Sequence, residues 1–278
     1  MNTINTPKRR LDERENHQAR SINLHYNIIG YAISSVLFEI GETKVLVNVT
    51  LQANVPPFLK GQGVGWLTAE YAMLPCATQQ RTMRESHLSQ RNSRNVEISR
   101  LISRCLRTTV DLKYVREKTI VVDCDVLQAD GGTRVACITA ASLALEYATH
   151  QWYKNGITEK NIFREPIAAL SAGIVNGTPY LDLTYEEDSK AEGDFNFVIS
   201  QSGKLIEIQG TAEQNPISWD HFEILKTMAL DGIAHLFNTC TSMKPTALFD
   251  SPKSTPENRA KSPSKAPLFS IGNRLAHK

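Results

Sequence analysis

The sequence predicts an α+β architecture, with a mixed, largely antiparallel β-sheet and helices packed on one face. Three observations carry this expectation. Three separate stretches read as β-hairpins, helical stretches are interspersed with them, and no uniform strand-helix repeat runs through the 278 residues.

The elements follow in order. Residues 35–52, SVLFEIGETKVLVNVTLQ, form the first hairpin around Gly41-Glu42, with Val45, Val47 and Val49 alternating against Leu46, Asn48 and Thr50. Residues 54–65, NVPPFLKGQGVG, read as a loop, because Pro56, Pro57, Gly61, Gly63 and Gly65 cannot hold a regular element. No helical pattern follows its G-x-G-x-G, so this is not a dinucleotide fingerprint. Residues 96–110 place Ile98, Leu101, Ile102, Cys105 and Leu106 on one helical stripe and Arg100, Arg104 and Arg107 elsewhere. Residues 119–127, TIVVDCDVL, are a β run that QADGGTR breaks before VACITAASLALEYATHQW resumes as an apolar helix. A second hairpin spans 166–185 around Asn176-Gly177, the strongest two-residue turn signal, and a third spans 194–209 around Ser202-Gly203. A helix over 218–238, with Ser218 as N-cap and Asp220 in its first turn, closes a single domain over residues 1–240. Residues 241–278 hold seven Lys/Arg against two acids, with five prolines and six serines, and read as a disordered basic tail.

Composition excludes several classes. Lys and Arg number 31 against 29 Asp and Glu, a formal charge of +2, so any nucleic-acid contact must be local rather than that of a bulk polycation. No apolar run reaches the roughly 18–20 residues that cross a bilayer, and MNTINTPKRRLDERE has no apolar core of a signal peptide. A soluble, unexported, cytoplasmic protein is expected. The five cysteines form no C-x-x-C pair, which fits reduced thiols, and the seven histidines lack zinc-ligand spacing. Neither a G-x-S-x-G elbow nor a phosphate-binding G-x-x-x-x-G-K-[ST] loop is present.

Three constellations bear chemistry. QADGGTR at 128–134 lies between a buried strand and a helix start, where free N–H groups attract anions. There Gly131 and Gly132 admit an oxygen without a Cβ in the way, Thr133 adds a hydroxyl, and Arg134 adds a fork suited to phosphate. Taken alone, the pattern also fits a plain turn. The stretch 79–107 carries seven Arg against two Glu, and Arg81, Arg84, Arg91 and Arg94 lie in its looser, polar half, where they can follow an RNA backbone. Arg100 and Arg107 fit a solvated helix face better. In YEEDSKAEGDFNF at 185–197, Asp188 and Asp194 offer two oxygen ligands of the kind Mg²⁺ prefers, although five acids in a loop also make an ordinary soluble turn. An anion cradle, a cationic track and a carboxylate pair together describe phosphoryl transfer on nucleic acid.

With these residues in view, the chain resembles the ribonuclease PH family, phosphate-dependent 3′ to 5′ exoribonucleases that shorten tRNA precursors. The matching segments are RRLDE, GETKVLVNVT, VPPFLKGQGVGWLTAEYAMLP, EISRLISRCLRTTVDL, DCDVLQADGGTR, LDLTYEEDSKAEGDFN and GKLIEIQGTAE, in the family's order from about residue 8 to 237. The resemblance implies the ribonuclease PH-type fold and a phosphate site of Arg94, Gly132, Thr133 and Arg134. It also implies a catalytic, Mg²⁺-holding pair of Asp188 and Asp194, and guidance of the RNA by Arg81 and Arg84, to which the arginine-rich stretch adds Arg91. Inorganic phosphate would be the co-substrate, tRNA precursors and other RNA 3′ ends the substrates, and a homohexamer built as a trimer of dimers the assembly.

Departures from the family pattern are few. Cys76 in LPCAT stands where the family carries Arg, GTRVACITA replaces GTRTASITG, and NSRN surrounds Arg94 where SGRT is usual. The loss of a cation at Cys76 keeps open a second reading, a catalytically weakened RNA-binding ring subunit of the same fold.

Overall fold

The computed structural model describes residue 10, residues 12–84, 92–213 and 215–245, and residue 249. Nine strands form two sheets. The first contains β1 (Ile22–Tyr26), β2 (Ser34–Ile40), β3 (Thr43–Gln52), β4 (Trp66–Met73) and β5 (Thr119–Gln128), in the order β1-β2-β3-β5-β4. All its pairs are antiparallel except β4 beside β5, which makes the sheet mixed. That parallel pair needs a crossover, and α1 (Ser93–Arg107) supplies it. The second sheet is antiparallel throughout, with β6 (Ile167–Val175), β7 (Thr178–Leu181), β8 (Gly193–Ser200) and β9 (Leu205–Ala212) in the order β7-β6-β8-β9.

The α+β class holds, with α1 and α2 (Thr133–Lys154) on one face of the mixed sheet. α2 has an apolar surface all round, and 16 of its 22 residues are buried, because it is covered from two sides. One side faces β2 and β3, and the other faces β6 and β8. Small residues at Ala136, Ala140, Ala141, Ala144 and Ala148 let both sheets approach it. Its polar side chains are matched to the second sheet: Thr139 Oγ1 accepts from Ala169 N at 3.0 Å, and Ser142 Oγ accepts from Ile167 N at 2.9 Å. α4 (Trp219–Met243) covers the opposite face of that sheet, where Phe222 meets Phe195 and Phe197 at centroid distances of 5.6 and 6.2 Å. With helices on both faces, every residue of β6 is buried.

The three expected hairpins are present as β2–β3, β6–β7 and β8–β9, and Ser218 caps α4 by accepting from His221 N at 3.2 Å. Strands β1 and β4 were not anticipated. α4 runs to Met243, three residues past the expected boundary at 240. Among the described residues, no helix is long and apolar enough to cross a membrane.

Candidate phosphate and carboxylate site

The cradle forms where β5 ends and α2 begins. Gly131 and Gly132 both take left-handed backbone angles, φ 75° and 66°, and Gly132 is the N-cap of α2 with no side chain capping the first turn. The helix therefore presents its first N–H groups, and no acid lies in that turn to compete with an incoming anion. The loop's own carbonyls are tied down on the other side. Thr43 Oγ1 donates to Gly131 O at 2.7 Å and accepts from Asp130 N at 3.0 Å, while Arg20 donates to the carbonyls of Asp130 and Gly131. A Cβ on Gly131 would lie 2.5 Å from Leu183 O and 2.7 Å from Tyr185 N, so only glycine lets the cradle touch the chain that carries the acids.

That chain is α3, a single turn at Tyr185–Asp188, set by a capping box in which Thr184 and Glu187 exchange hydrogen bonds. A buried network fixes its position. Arg10 grips Glu187 with two hydrogen bonds of 2.8 and 2.7 Å, and Arg20 grips Asp182 in the same manner at 2.9 and 2.7 Å. Burial would raise the Asp182 carboxyl, but the charge and hydrogen bonds of Arg20, helped by Arg14, outweigh it and hold the group below the usual carboxylate range. Glu187 is likewise held low against its burial, chiefly by Arg10.

Asp188, at the end of α3, and Asp194, the second residue of β8, share one electrostatic neighbourhood with Arg134 and Arg94. Asp188 is exposed as a residue. Desolvation raises its pKa first and Asp194 raises it further, while Arg134, Arg94 and nothing stronger pull the other way. Asp188, whose ionisation Asp194 opposes, and Asp194 itself are hard oxygen donors for which a divalent cation is the natural partner, so the residues fit Mg²⁺. They would supply two of its ligands. No group of three or more His, Cys, Asp or Glu side chains is arranged to hold a metal among the described residues.

The remaining expected residues are distributed unevenly. Thr133 is buried and its hydroxyl lies 2.9 Å from the Tyr71 hydroxyl. Arg134 Nη1 donates to Gln209 Oε1 at 3.2 Å, and Gln209 Nε2 donates in turn to Glu97 Oε1 at 3.4 Å, so the guanidinium is oriented by an amide rather than neutralised by an acid. Arg94 is exposed in the first turn of α1, where Asn92 caps its backbone N–H at 3.0 Å. Arg81 and Arg84 are exposed beyond β4 and form no ion pair among the described residues. Cys76 is exposed on the same segment. Arg91 lies outside the described residues. Arg104 is bound to Glu207, and Arg107 donates to Leu67 O at 3.0 Å and stacks over Trp66, so both are occupied within the fold. Tyr71, Gln209, Glu97 and the Arg10, Arg20, Asp182 and Glu187 supports were not singled out from sequence. Their partners lie up to 177 positions away, and RRLDE contributed only to the resemblance.

Known proteins share this fold. Residues 18–149 match the family model described as 3′ exoribonuclease family, domain 1, and residues 165–231 match domain 2. Among solved structures, the chain is similar to an Archaeoglobus fulgidus exosome with RNA bound to the active site, with TM-score 0.71, 20% identity and coverage of 84% of this chain and 92% of that one. Rice (Oryza sativa) Rrp46 gives TM-score 0.68 at 17% identity, covering 84% of this chain and 100% of the other. An archaeal exosome core gives 0.67 at 19% identity, covering 83% and 90%. With both family models in sequence order across most of its length and the same fold in each neighbour, the chain belongs to the ribonuclease PH family of 3′ exoribonucleases.

Proposed function

We propose that this protein is a phosphorolytic 3′ to 5′ exoribonuclease that trims the 3′ ends of tRNA precursors and other RNAs. The observation that supports the reading is that Asp188 lies within electrostatic reach of Asp194, Arg134 and Arg94, Arg134 being the second residue of a helix whose N-terminus no side chain caps. A hydrolytic nuclease has no use for an oxyanion cradle beside its carboxylates. A phosphorolytic one needs both.

In this mechanism Arg94, Arg134, the Thr133 hydroxyl and the N–H groups following Gly132 hold inorganic phosphate against the last phosphodiester. Free phosphate is already nucleophilic at neutral pH, so the site must chiefly offset repulsion between two anions, which two guanidiniums do at close range. An oxygen of the bound phosphate attacks the phosphorus, the P–O3′ bond breaks, and a nucleoside diphosphate leaves from a chain shortened by one. The bond energy is retained in the diphosphate, so excess diphosphate drives nucleotide addition. When bound, Mg²⁺ held by Asp188 and Asp194 would offset charge on the transferring phosphoryl oxygens. The departing 3′ oxygen takes up a proton from solvent as the P–O3′ bond breaks. Arg81, Arg84 and Arg91 guide the RNA, and a homohexamer built as a trimer of dimers in the cytoplasm gathers these cations around one entry.

A second reading has its own observation. The exposed Cys76 withdraws a cation from the RNA path, and the structural neighbours are exosome cores, so a ring subunit that binds RNA without turnover is the competing function. Labelled RNA with and without phosphate separates the two. Nucleoside diphosphate released only with phosphate supports phosphorolysis, and Asp194→Asn or Arg94→Ala should then lower kcat by about 100-fold or more. RNA binding with no diphosphate product supports the ring subunit, and monophosphate released without phosphate would establish a hydrolase.

A further inference from the structure

We propose that Tyr71 is a positioning residue, directing the proton of the Thr133 hydroxyl toward the oxyanion that the cradle receives. Tyr71 stands on β4, in register with Cys124 of β5, and is only 4% exposed. Its hydroxyl lies 2.9 Å from Thr133 Oγ1 at the first residue of α2. Arg94 and Arg134 are both close enough to act on the phenol electrostatically.

The direction of the hydrogen bond follows from counting protons. A phenol has one, and in this site it is not lost: burial, with Cys137 nearby, pushes its pKa well above the ordinary tyrosine value, against the smaller opposing effects of Thr133 and the two arginines. Thr133 Oγ1 is the hydrogen-bond partner of that hydroxyl among the described residues. Either hydroxyl could give the proton on distance alone, and the phenol, the more acidic of the two, is assigned as the donor to Thr133. Thr133 Oγ1 then accepts from below, and its own proton must leave in another direction. In a helix interior that proton would go back to the carbonyl four residues earlier. Thr133 is the first residue of α2, so no such carbonyl of the helix precedes it. The acceptor assigned to the Thr133 proton is the oxyanion in the cradle. Tyr71 therefore makes Thr133 a committed donor to an anion, and without it the threonine hydroxyl is free to rotate and to turn its lone pairs on the same oxygen.

This inference draws on the phosphorolysis reading for its kinetic arm and on phosphate binding alone for its other arm. In Tyr71→Phe, the ring is kept and the donor removed. Inorganic phosphate should bind about five- to tenfold more weakly by calorimetry or ³¹P line broadening, and the KM for phosphate should rise by the same factor. The kcat at saturating phosphate and the KM for RNA should stay within about twofold, a split that a general loss of structure would not give. The double variant Tyr71→Phe/Thr133→Val should bind phosphate no more weakly than Thr133→Val alone, because Tyr71 acts through that hydroxyl. Equal phosphate affinity in Tyr71→Phe and the wild type overturns the proposal, as does a full second loss in the double variant. A wild type that binds phosphate and releases no diphosphate overturns the phosphorolysis reading, while a weaker Tyr71→Phe in that same binding assay still upholds the role of Tyr71. A wild type that binds no phosphate overturns both.

Discussion

Asp182 has no exposure and a left-handed backbone, φ 52°, and it is the anion on which the N-terminal arginines converge. Its carboxylate takes two hydrogen bonds from the Arg20 guanidinium and a third from Arg20 N at 2.8 Å. Removing it strands a buried cation, so Asp182→Ala should lose about 3–5 kcal/mol in chemical denaturation. A loss below about 1 kcal/mol would show that solvent already screens the pair. The pH dependence follows in sign. Asp182 and Glu187 are held below their unfolded values, so their stabilisation is complete above the ordinary carboxylate range near pH 4 and is lost as pH falls through the lower folded values. Asp188 runs the opposite way. Its folded pKa is raised by desolvation and by Asp194, so its contribution favours the fold below that range and is lost as pH rises through the folded value. In chelator at neutral pH, Asp188→Asn should therefore raise Tm while lowering turnover by about 100-fold or more. Added Mg²⁺ should raise the Tm of the wild type and not of the variant. A lower Tm for Asp188→Asn in chelator would mean that the two carboxylates do not oppose one another.

At the scale of the elements, the turn of Gly131 and Gly132 joins the cradle to the acids, and its two glycines are not equivalent. A Cβ on Gly131 meets backbone atoms of Leu183, Thr184 and Tyr185 at 2.5–2.7 Å, whereas one on Gly132 meets Arg20 Nη2 at 3.2 Å and Val135 Cγ2 at 3.3 Å. Both positions carry the left-handed cost of ~1–2 kcal/mol, but only Gly131 has a neighbour that cannot give way without shifting α3. Gly131→Ala should displace Asp188 from the cradle and lower kcat more than tenfold beyond Gly132→Ala, since an ångström of misplacement is that costly. Equal effects in the two variants would argue that the glycines serve only their backbone angles. This pair was readable in the sequence because its chemistry is local, as were the β2–β3, β6–β7 and β8–β9 hairpins, which announce themselves by turn residues and alternation. β4 was not readable. Its backbone is paired by β5, some fifty residues later, and α1 packs against it, so Leu67, Ala69 and Tyr71 are buried by elements distant in sequence. The same distance hid Tyr71 and Gln209, whose functional partners Thr133 and Arg134 lie 62 and 75 positions away. The acidic loop was legible as a carboxylate pair, but the reason it is held still, Arg10 on Glu187, depends on pairing the first described residue with the second sheet.

Across the whole molecule, three structural ties cross between the sheets. α2 fills the space between them, so neither sheet has a complete core without it. The N-terminal segment reaches over as well, with Leu181 N donating to Asn16 O at 2.8 Å and Arg10, Arg14 and Arg20 bound to the β7–α3 connection. Beyond α4, Lys244 pairs with Glu146 of α2 at 2.6 Å, and Phe249 packs against Tyr147 and His150 of α2 and Tyr26 of β1. Opening either sheet alone would therefore expose one side of a helix that has no polar face to turn outward. That cost should couple the two halves into one transition, although two family models divide the sequence between them. The tryptophans are placed to test it. Trp66 lies on β4 of the first sheet, Trp219 packs edge-on against Phe222 over the second, and Trp152 is buried on α2. Variants retaining a single tryptophan should give coincident urea midpoints and slopes by fluorescence and by far-UV circular dichroism. If the Trp66 and Trp219 probes instead report separate midpoints, each sheet keeps a core of its own, and α2 belongs to only one of them.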